Sequence, residues 1–153
     1  MENYQVYRDI QARTGGDIYI GIVGPVRTGK STFIRRFMEL VALPQMEEKL
    51  QAEVRDQLPL SGAGKTITTV EPKFIPKDAV AVTLGEDQNV KVRLIDCVGF
   101  MVKDAGGNME EGKERMVKTP WQPKAIPFQE AARIGTEKVI KEHSTIGLVI
   151  TTD

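Results

Sequence analysis

The chain has 153 residues, 41% of them hydrophobic, which suffices to bury one core and excludes the composition of a disordered protein. Its 21 lysines and arginines balance 21 aspartates and glutamates, so no overall charge attracts anionic surfaces, and we expect no nucleic-acid partner. The single cysteine, Cys97, excludes an internal disulfide, and no apolar run approaches the ~20 residues of a transmembrane helix, so we expect a cytosolic protein that contacts membranes only indirectly.

The first sixteen residues predict a helical extension. Residues 4–13 have the spacing of a short amphipathic helix, and the paired Gly15 and Gly16 readily supply the left-handed backbone that ends a helix. We therefore interpret residues 1–16 as a packing or docking element that precedes the main domain.

A strand, a glycine-rich loop and a helix follow in that order. The apolar, β-branched run at residues 17–23 predicts a strand that is covered on both faces of a parallel sheet. After the loop, residues 31–43 carry apolar side chains at helical spacing, and Pro44 is expected to stop that helix. Residues 45–58 predict a charged surface helix without a chemical role.

The second half of the chain predicts a hairpin, a loop, a helix and a last strand. Residues 79–84 and 90–95 are strand-like runs separated by turn formers, which predicts an antiparallel hairpin. Residues 100–128 show little periodicity and are expected to form a long loop. Residues 128–142 return to helical spacing, and residues 146–150 predict another buried strand.

Strands that alternate with helices indicate an α/β fold with a doubly wound, mixed sheet and an antiparallel edge hairpin. Such a sheet normally continues with at least one more helix and strand. We therefore expect residues 17–153 to form one domain that is truncated at its carboxyl-terminal side.

The loop carries the first motif of chemical interest. Residues 24–31, GPVRTGKS, match the phosphate-loop pattern G-x-x-x-x-G-K-[ST] in full. Glycines let backbone N–H groups curl round phosphate oxygens, and the N-terminus of the following helix adds positive potential. Lys30 is expected to bridge the β- and γ-phosphates, and the Ser31 hydroxyl to bind Mg²⁺. The motif predicts a P-loop NTPase domain that binds a nucleoside triphosphate with magnesium.

A second motif, D-x-x-G, occupies residues 96–99. Asp96 stands at the carboxyl end of a predicted buried strand, where ligands collect in such sheets, and is expected to hold Mg²⁺ through water. Gly99 is placed to approach the γ-phosphate. Phe100 replaces the glutamine with which many small GTP hydrolases orient water, so we expect slow unaided hydrolysis. The nucleotide-binding residues predicted from both motifs are Gly24, Arg27, Thr28, Gly29, Lys30, Ser31, Thr32 and Gly99.

Three side chains each keep two interpretations. Arg27 would stabilise charge on the transferred phosphate, or would be a structural ion-pair partner, which we prefer. Thr68 and Thr69 lie where phosphate-loop switch proteins place a magnesium-binding threonine, but they fit ordinary strand threonines equally well. We assign catalytic roles to Lys30, Asp96, Thr69 and Thr68, and metal binding to Ser31, Asp96 and Thr69.

Four stretches of the sequence resemble the amino-terminal nucleotide-binding domain of the stage IV sporulation protein A family of endospore-forming bacteria. They are RTGGDIYIGIVGPVRTGKSTFIRRFMEL, AGKTITTVEPKF, RLIDCVGF and TPWQPKAIPFQEAARIGTEKVIKEHSTIGLVITTD. The last stretch is the most distinctive, because it is no general nucleotide-binding pattern. The resemblance implies a GTPase-like (TRAFAC-type) fold that uses ATP.

The resemblance also implies a function and partners. Hydrolysis of ATP with Mg²⁺ would drive self-assembly of a static polymer, the base layer of the spore coat, on the outer forespore surface facing the mother-cell cytoplasm. A short amphipathic membrane-binding peptide and other coat proteins are the implied partners, through regions mostly outside this chain. Carried over by motif, Lys30 and Ser31 form the phosphate-loop pair, Asp96 is the magnesium-linked aspartate, and Thr69, with Thr68, senses the nucleotide.

Two other functions remain open from the residues alone. A GTP-dependent switch would bind effectors without polymerising, and the base-reading motif that separates ATP from GTP falls after the last predicted strand. A small-molecule kinase is disfavoured by the D-x-x-G motif, since a kinase would more often show an arginine-bearing lid and an acceptor pocket.

Overall fold

A four-stranded mixed sheet lies at the centre of the computed structural model, which describes residues 12, 15–59, 71–84, 88–101, 109–110 and 112–152. The strands are β1 (Asp17–Val23), β2 (Lys73–Leu84), β3 (Gln88–Asp96), β4 (Met109–Glu110), β5 (Lys113–Glu114), β6 (Met116–Val117), β7 (Ile126–Pro127) and β8 (Ile146–Val149). The α-helices are α1 (Lys30–Phe37), α2 (Glu48–Gln57) and α3 (Phe128–Lys138). Further helical turns are the π-helical Met38–Ala42 and Val139–His143 and the 3-10 turn Leu43–Gln45.

The strands of the main sheet are ordered β2-β3-β1-β8. β1 pairs in parallel with β3 and with β8, whereas β2 pairs antiparallel with β3, so the predicted edge hairpin is confirmed. β2 is longer than predicted because a register shift between Ile75 and Val80 accommodates Pro76, which has no N–H to join the ladder. The structure is therefore a mixed α/β sheet, as the sequence predicts.

Helical segments cover both faces of this sheet because successive side chains of a strand point to opposite faces. Ile18 and Ile22 of β1 pack with Ile34 of α1 in one buried cluster. Val23, on the opposite face of β1, packs with Val139 of the π-helical turn after α3. The continuous apolar run of β1 is thus buried on both sides.

Of two predictions about connecting segments, one holds and one is wrong. The helical run of α1 and the π-helical turn ends at Ala42, close to the predicted stop at Pro44, which lies at the start of the 3-10 turn, where a missing N–H leaves no hydrogen bond unmade. Residues 100–128 are not a plain loop, since β4 pairs with β5 and β6 with β7. These ladders have two residues per strand, too few to produce a periodic pattern.

Some expectations fall on residues that the structure does not describe. The predicted helix at residues 4–13 lies outside the described residues except for Ala12, which is helical. Thr68 and Thr69 also lie outside them. Among the helices that are described, none is long and apolar enough to span a membrane.

Candidate functional site

The glycine-rich loop connects β1 to α1, and the segment after β3 holds it from one side. The N–H of Val26 donates to the carbonyl oxygen of Phe100 at 3.0 Å, and the N–H of Phe100 donates to that of Gly24 at 3.2 Å. These two bonds form a short parallel bridge between Pro25 and Phe100. The D-x-x-G segment is therefore attached directly to the phosphate-loop motif.

The end of β8 holds the same loop from the other side. The N–H of Ile150 donates to the carbonyl oxygen of Val23 at 2.9 Å. The hydroxyl of Thr28 lies within hydrogen-bonding distance of the carbonyl oxygens of Pro25, at 2.9 Å, and Ile150, at 3.1 Å. Thr28 thus fastens the loop to the sheet through its side chain.

Two glycines are required by close backbone approaches. Gly24 has a φ of +143°, and a Cβ there would overlap the carbonyl oxygen of Ile150. Gly99 has a φ of +90°, and a Cβ there would overlap the carbonyl oxygen of Gly24 and crowd the Nζ of Lys30. The absence of a side chain at Gly99 therefore leaves room beside the lysine ammonium, as the proposed approach of a phosphate requires.

Lys30 is the buried cation of the site. It is only 5% exposed, and its Nζ donates to the carbonyl oxygens of Gly24, at 3.3 Å, and Pro25, at 2.5 Å. Burial lowers the pKa of Lys30, and the charge of Asp96 partly opposes that shift. Lys30 is thus held against the loop that it is predicted to serve, at the first residue of α1.

Asp96 is the acidic group of the site, at the last residue of β3. Burial raises the pKa of Asp96 to about 6, against the attraction of Lys30 and Lys73 and a hydrogen bond from the backbone N–H of Cys97. Ionisation of this carboxyl is therefore unfavourable in the ligand-free protein. A cation bound beside it would favour the ionised form.

The donor groups fit a nucleotide with magnesium. The first intrahelical bond of α1 runs from the N–H of Phe33 to the oxygen of Gly29 at 2.9 Å, so the preceding N–H groups of the first turn have no partner within the helix. Such N–H groups bind anions. The half-buried hydroxyl of Ser31 and the carboxyl of Asp96 are oxygen ligands of the kind Mg²⁺ takes.

The structure brings Lys30, Asp96 and Gly99 together, and it places other predicted residues differently. Arg27 is exposed, and in the part of the chain that the structure describes it has no ion-pair partner, so the preferred ion-pair interpretation finds no support there. Thr32 is exposed in the first turn of α1.

A groove of about 700 Å³ is lined in part by Gly24 and Phe100. It is bounded by α3 and by the end of β8, with Ile140 and Val149 among its apolar lining and Arg133 on its polar side. The sequence does not indicate this groove, because it depends on the strand order that sets β8 beside β1.

These features define a class of protein. It is an α/β domain in which a glycine-rich loop, a buried lysine and a half-buried aspartate meet at the carboxyl ends of two parallel strands, where ligands of such sheets bind. Residues 1–153 match the model of a known family, the stage IV sporulation protein A ATPase domain. The chain belongs to that family, which confirms the resemblance, and an ATPase domain implies nucleotide binding.

Curated relatives support the same assignment. The chain is 55% identical over 152 residues to the stage IV sporulation protein A of Clostridioides difficile (strain 630), an alignment that covers 99% of this chain and 31% of the relative. It is 56% identical over 154 residues to the proteins of that name from Bacillus subtilis (strain 168) and Bacillus anthracis, covering 100% of this chain and 31% of each relative. The chain thus spans about a third of the length of these relatives. No solved structure gives a significant match.

Proposed function

We propose that this domain is a P-loop NTPase of the GTPase-like type, with a doubly wound sheet, that binds and hydrolyses ATP with Mg²⁺. The observation that carries the proposal is the meeting of Lys30, Asp96 and Gly99 around the glycine-rich loop. The family's ATPase domain supports ATP as the nucleotide.

Each residue has a role that follows from its position. The phosphates are bound and oriented by the first-turn N–H groups of α1 and by the ammonium of Lys30. Both carry positive charge at the loop, which attracts phosphate oxygens. Ser31 and Asp96 would hold Mg²⁺, which supplies neutralisation of the charge that develops on the phosphate oxygens. The backbone of Phe100 is hydrogen-bonded to the loop, so a nucleotide bound at this site would also affect the segment after β3.

Hydrolysis is expected to be slow without a further group. Phe100 is 40% exposed beside the loop, and a phenyl ring cannot accept a proton from water or orient it. Thr69, with Thr68, is proposed to sense the nucleotide and to contribute a magnesium ligand.

At the level of the whole protein, we infer that hydrolysis drives self-assembly into a static polymer that forms the base layer of the spore coat. The relatives' shared name supports a role in sporulation. The polymer would form in the mother-cell cytoplasm at the outer forespore surface, with a short amphipathic membrane-binding peptide and other coat proteins as partners.

The site assignment is tested by substitution in a full-length protein that carries this domain. Lys30→Ala and Asp96→Ala are expected to abolish magnesium-dependent phosphate release while circular dichroism shows a folded protein. Lys49→Ala and Asp56→Ala, which remove exposed charges of the same types from α2, are the matched controls and should retain activity. Unchanged turnover in either site variant would refute the assignment.

A further inference from the structure

Arg27 has an unusual backbone conformation for its residue type. Its φ is +60°, and within the described residues every other positive φ belongs to a glycine. The left-handed region is strained for a residue with a side chain and unstrained for glycine. Glycine would therefore suit the fold better at this position.

The neighbouring residues impose this conformation. Val26 is tied to Phe100 by its backbone N–H, and the hydroxyl of Thr28 reaches the carbonyl oxygens of Pro25 and Ile150. The chain must turn between these two anchored residues, and strain that is held in place by its surroundings is characteristic of functional sites.

Within the described part of the chain, the side chain of Arg27 makes no hydrogen bond or ion pair that would offset this strain. It is exposed, and neither a hydrogen bond nor an ion pair joins it to another described residue. Arg27 thus presents a guanidinium that has no partner among the described residues, on a loop whose other cation, Lys30, is buried and bound to the loop carbonyls.

We propose that Arg27 stabilises charge on the phosphoryl group during hydrolysis, an inference that rests on the function proposed above. In that step a water oxygen bonds to the γ-phosphorus while the bond from this phosphorus to the bridging oxygen breaks. The electron pair of the broken bond stays with ADP, and the proton of the water passes to solvent. Negative charge spreads over the γ-phosphate oxygens, which a planar guanidinium is suited to bind with two hydrogen bonds.

The test compares Arg27→Gly, Arg27→Ala and Arg27→Lys in a full-length protein carrying this domain. Arg27→Gly and Arg27→Ala should lower kcat about 100-fold, with the Kd for ATP and magnesium within about threefold of wild type, because the contact forms in the transition state. Arg27→Lys, which keeps the charge, should lose only about tenfold. Arg55→Ala removes an exposed arginine of α2 and should leave kcat within about twofold.

Thermal unfolding separates this role from a structural one. Arg27→Gly should unfold at the same or a higher temperature than wild type, because glycine relieves the left-handed strain. A kcat within threefold of wild type in Arg27→Gly, or a parallel fall of kcat and unfolding temperature, would overturn the inference while leaving the effect of Lys30→Ala intact. A wild-type protein that releases no phosphate would overturn the proposed function as well.

Discussion

Replacing Asp96 by asparagine tests whether the ionised carboxyl of this half-buried residue destabilises the ligand-free protein. Burial raises the pKa of Asp96 from 3.8 to about 6. A raised pKa means that the folded state binds more protons than the unfolded state between these two values. The free energy of unfolding therefore falls as the pH rises from about 4 to about 6, and it stays low at neutral pH.

The size of the effect follows from the same shift. A difference of about 2 pKa units, at about 1.4 kcal/mol each, gives a ceiling of about 3 kcal/mol for the cost of the ionised carboxyl. Asparagine has a similar volume and no charge, and the raised pKa already includes the attraction of Lys30 and Lys73, so the substitution removes only the net cost of the ionised carboxyl. We therefore expect Asp96→Asn to raise the free energy of unfolding by about 1 to 3 kcal/mol at pH 7.5.

Urea denaturation of the ligand-free, magnesium-free chain between pH 4.5 and 8 measures this change. The wild type should lose stability between pH 4.5 and about 6 and then level off, the variant should show a flatter profile, and the difference between the two should narrow toward pH 4.5. Asp56→Asn, which removes an exposed carboxyl from α2, is the control and should follow the wild type. A variant that is less stable than wild type at pH 7.5 would show that the ionised carboxyl stabilises the fold, and the reasoning would be refuted.

Two further substitutions test the packing of the loop. Gly99→Ala places a Cβ at a φ of +90° against Lys30 Nζ and the loop backbone. We expect the free energy of unfolding, measured by urea denaturation, to fall by about 2 to 4 kcal/mol, and ATP binding, measured by calorimetry, to weaken. Wild-type values for both would contradict the close approach. Thr28→Val removes the hydroxyl that reaches Pro25 and Ile150, so we expect a loss of about 1 kcal/mol, and an unchanged unfolding midpoint would show that the hydroxyl does not fasten the loop.

The elements that were predictable are those with strong local patterns. The β-branched run of β1 was predicted with the bounds that the structure has, because burial on both faces leaves a continuous apolar stretch. The hairpin of β2 and β3 was predictable from two apolar runs around a turn. The position of Lys30 against the loop was predictable because the G-K-[ST] pattern encodes local backbone geometry, and its role toward a phosphate stays a prediction.

Features that depend on tertiary contacts could not be predicted. The bonds that join Val26 and Phe100 exist because β1 and β3 are parallel neighbours, and no local pattern gives that pairing. The left-handed backbone of Arg27 follows from the hydrogen bonds that anchor the residues on both sides of it. Residue preferences alone predict a negative φ for an arginine. The roles of Thr68 and Thr69 remain predictions from motif position.

Competition between ATP and GTP in a full-length protein with this domain tests the central claim most directly. Phosphate release and sedimentation of polymer are measured in the same samples, with magnesium and either nucleotide, and with Lys30→Ala alongside. The account predicts that ATP outcompetes GTP in phosphate release, that sedimentation requires ATP, and that Lys30→Ala shows neither. Preference for GTP, or sedimentation that does not depend on nucleotide, would contradict it.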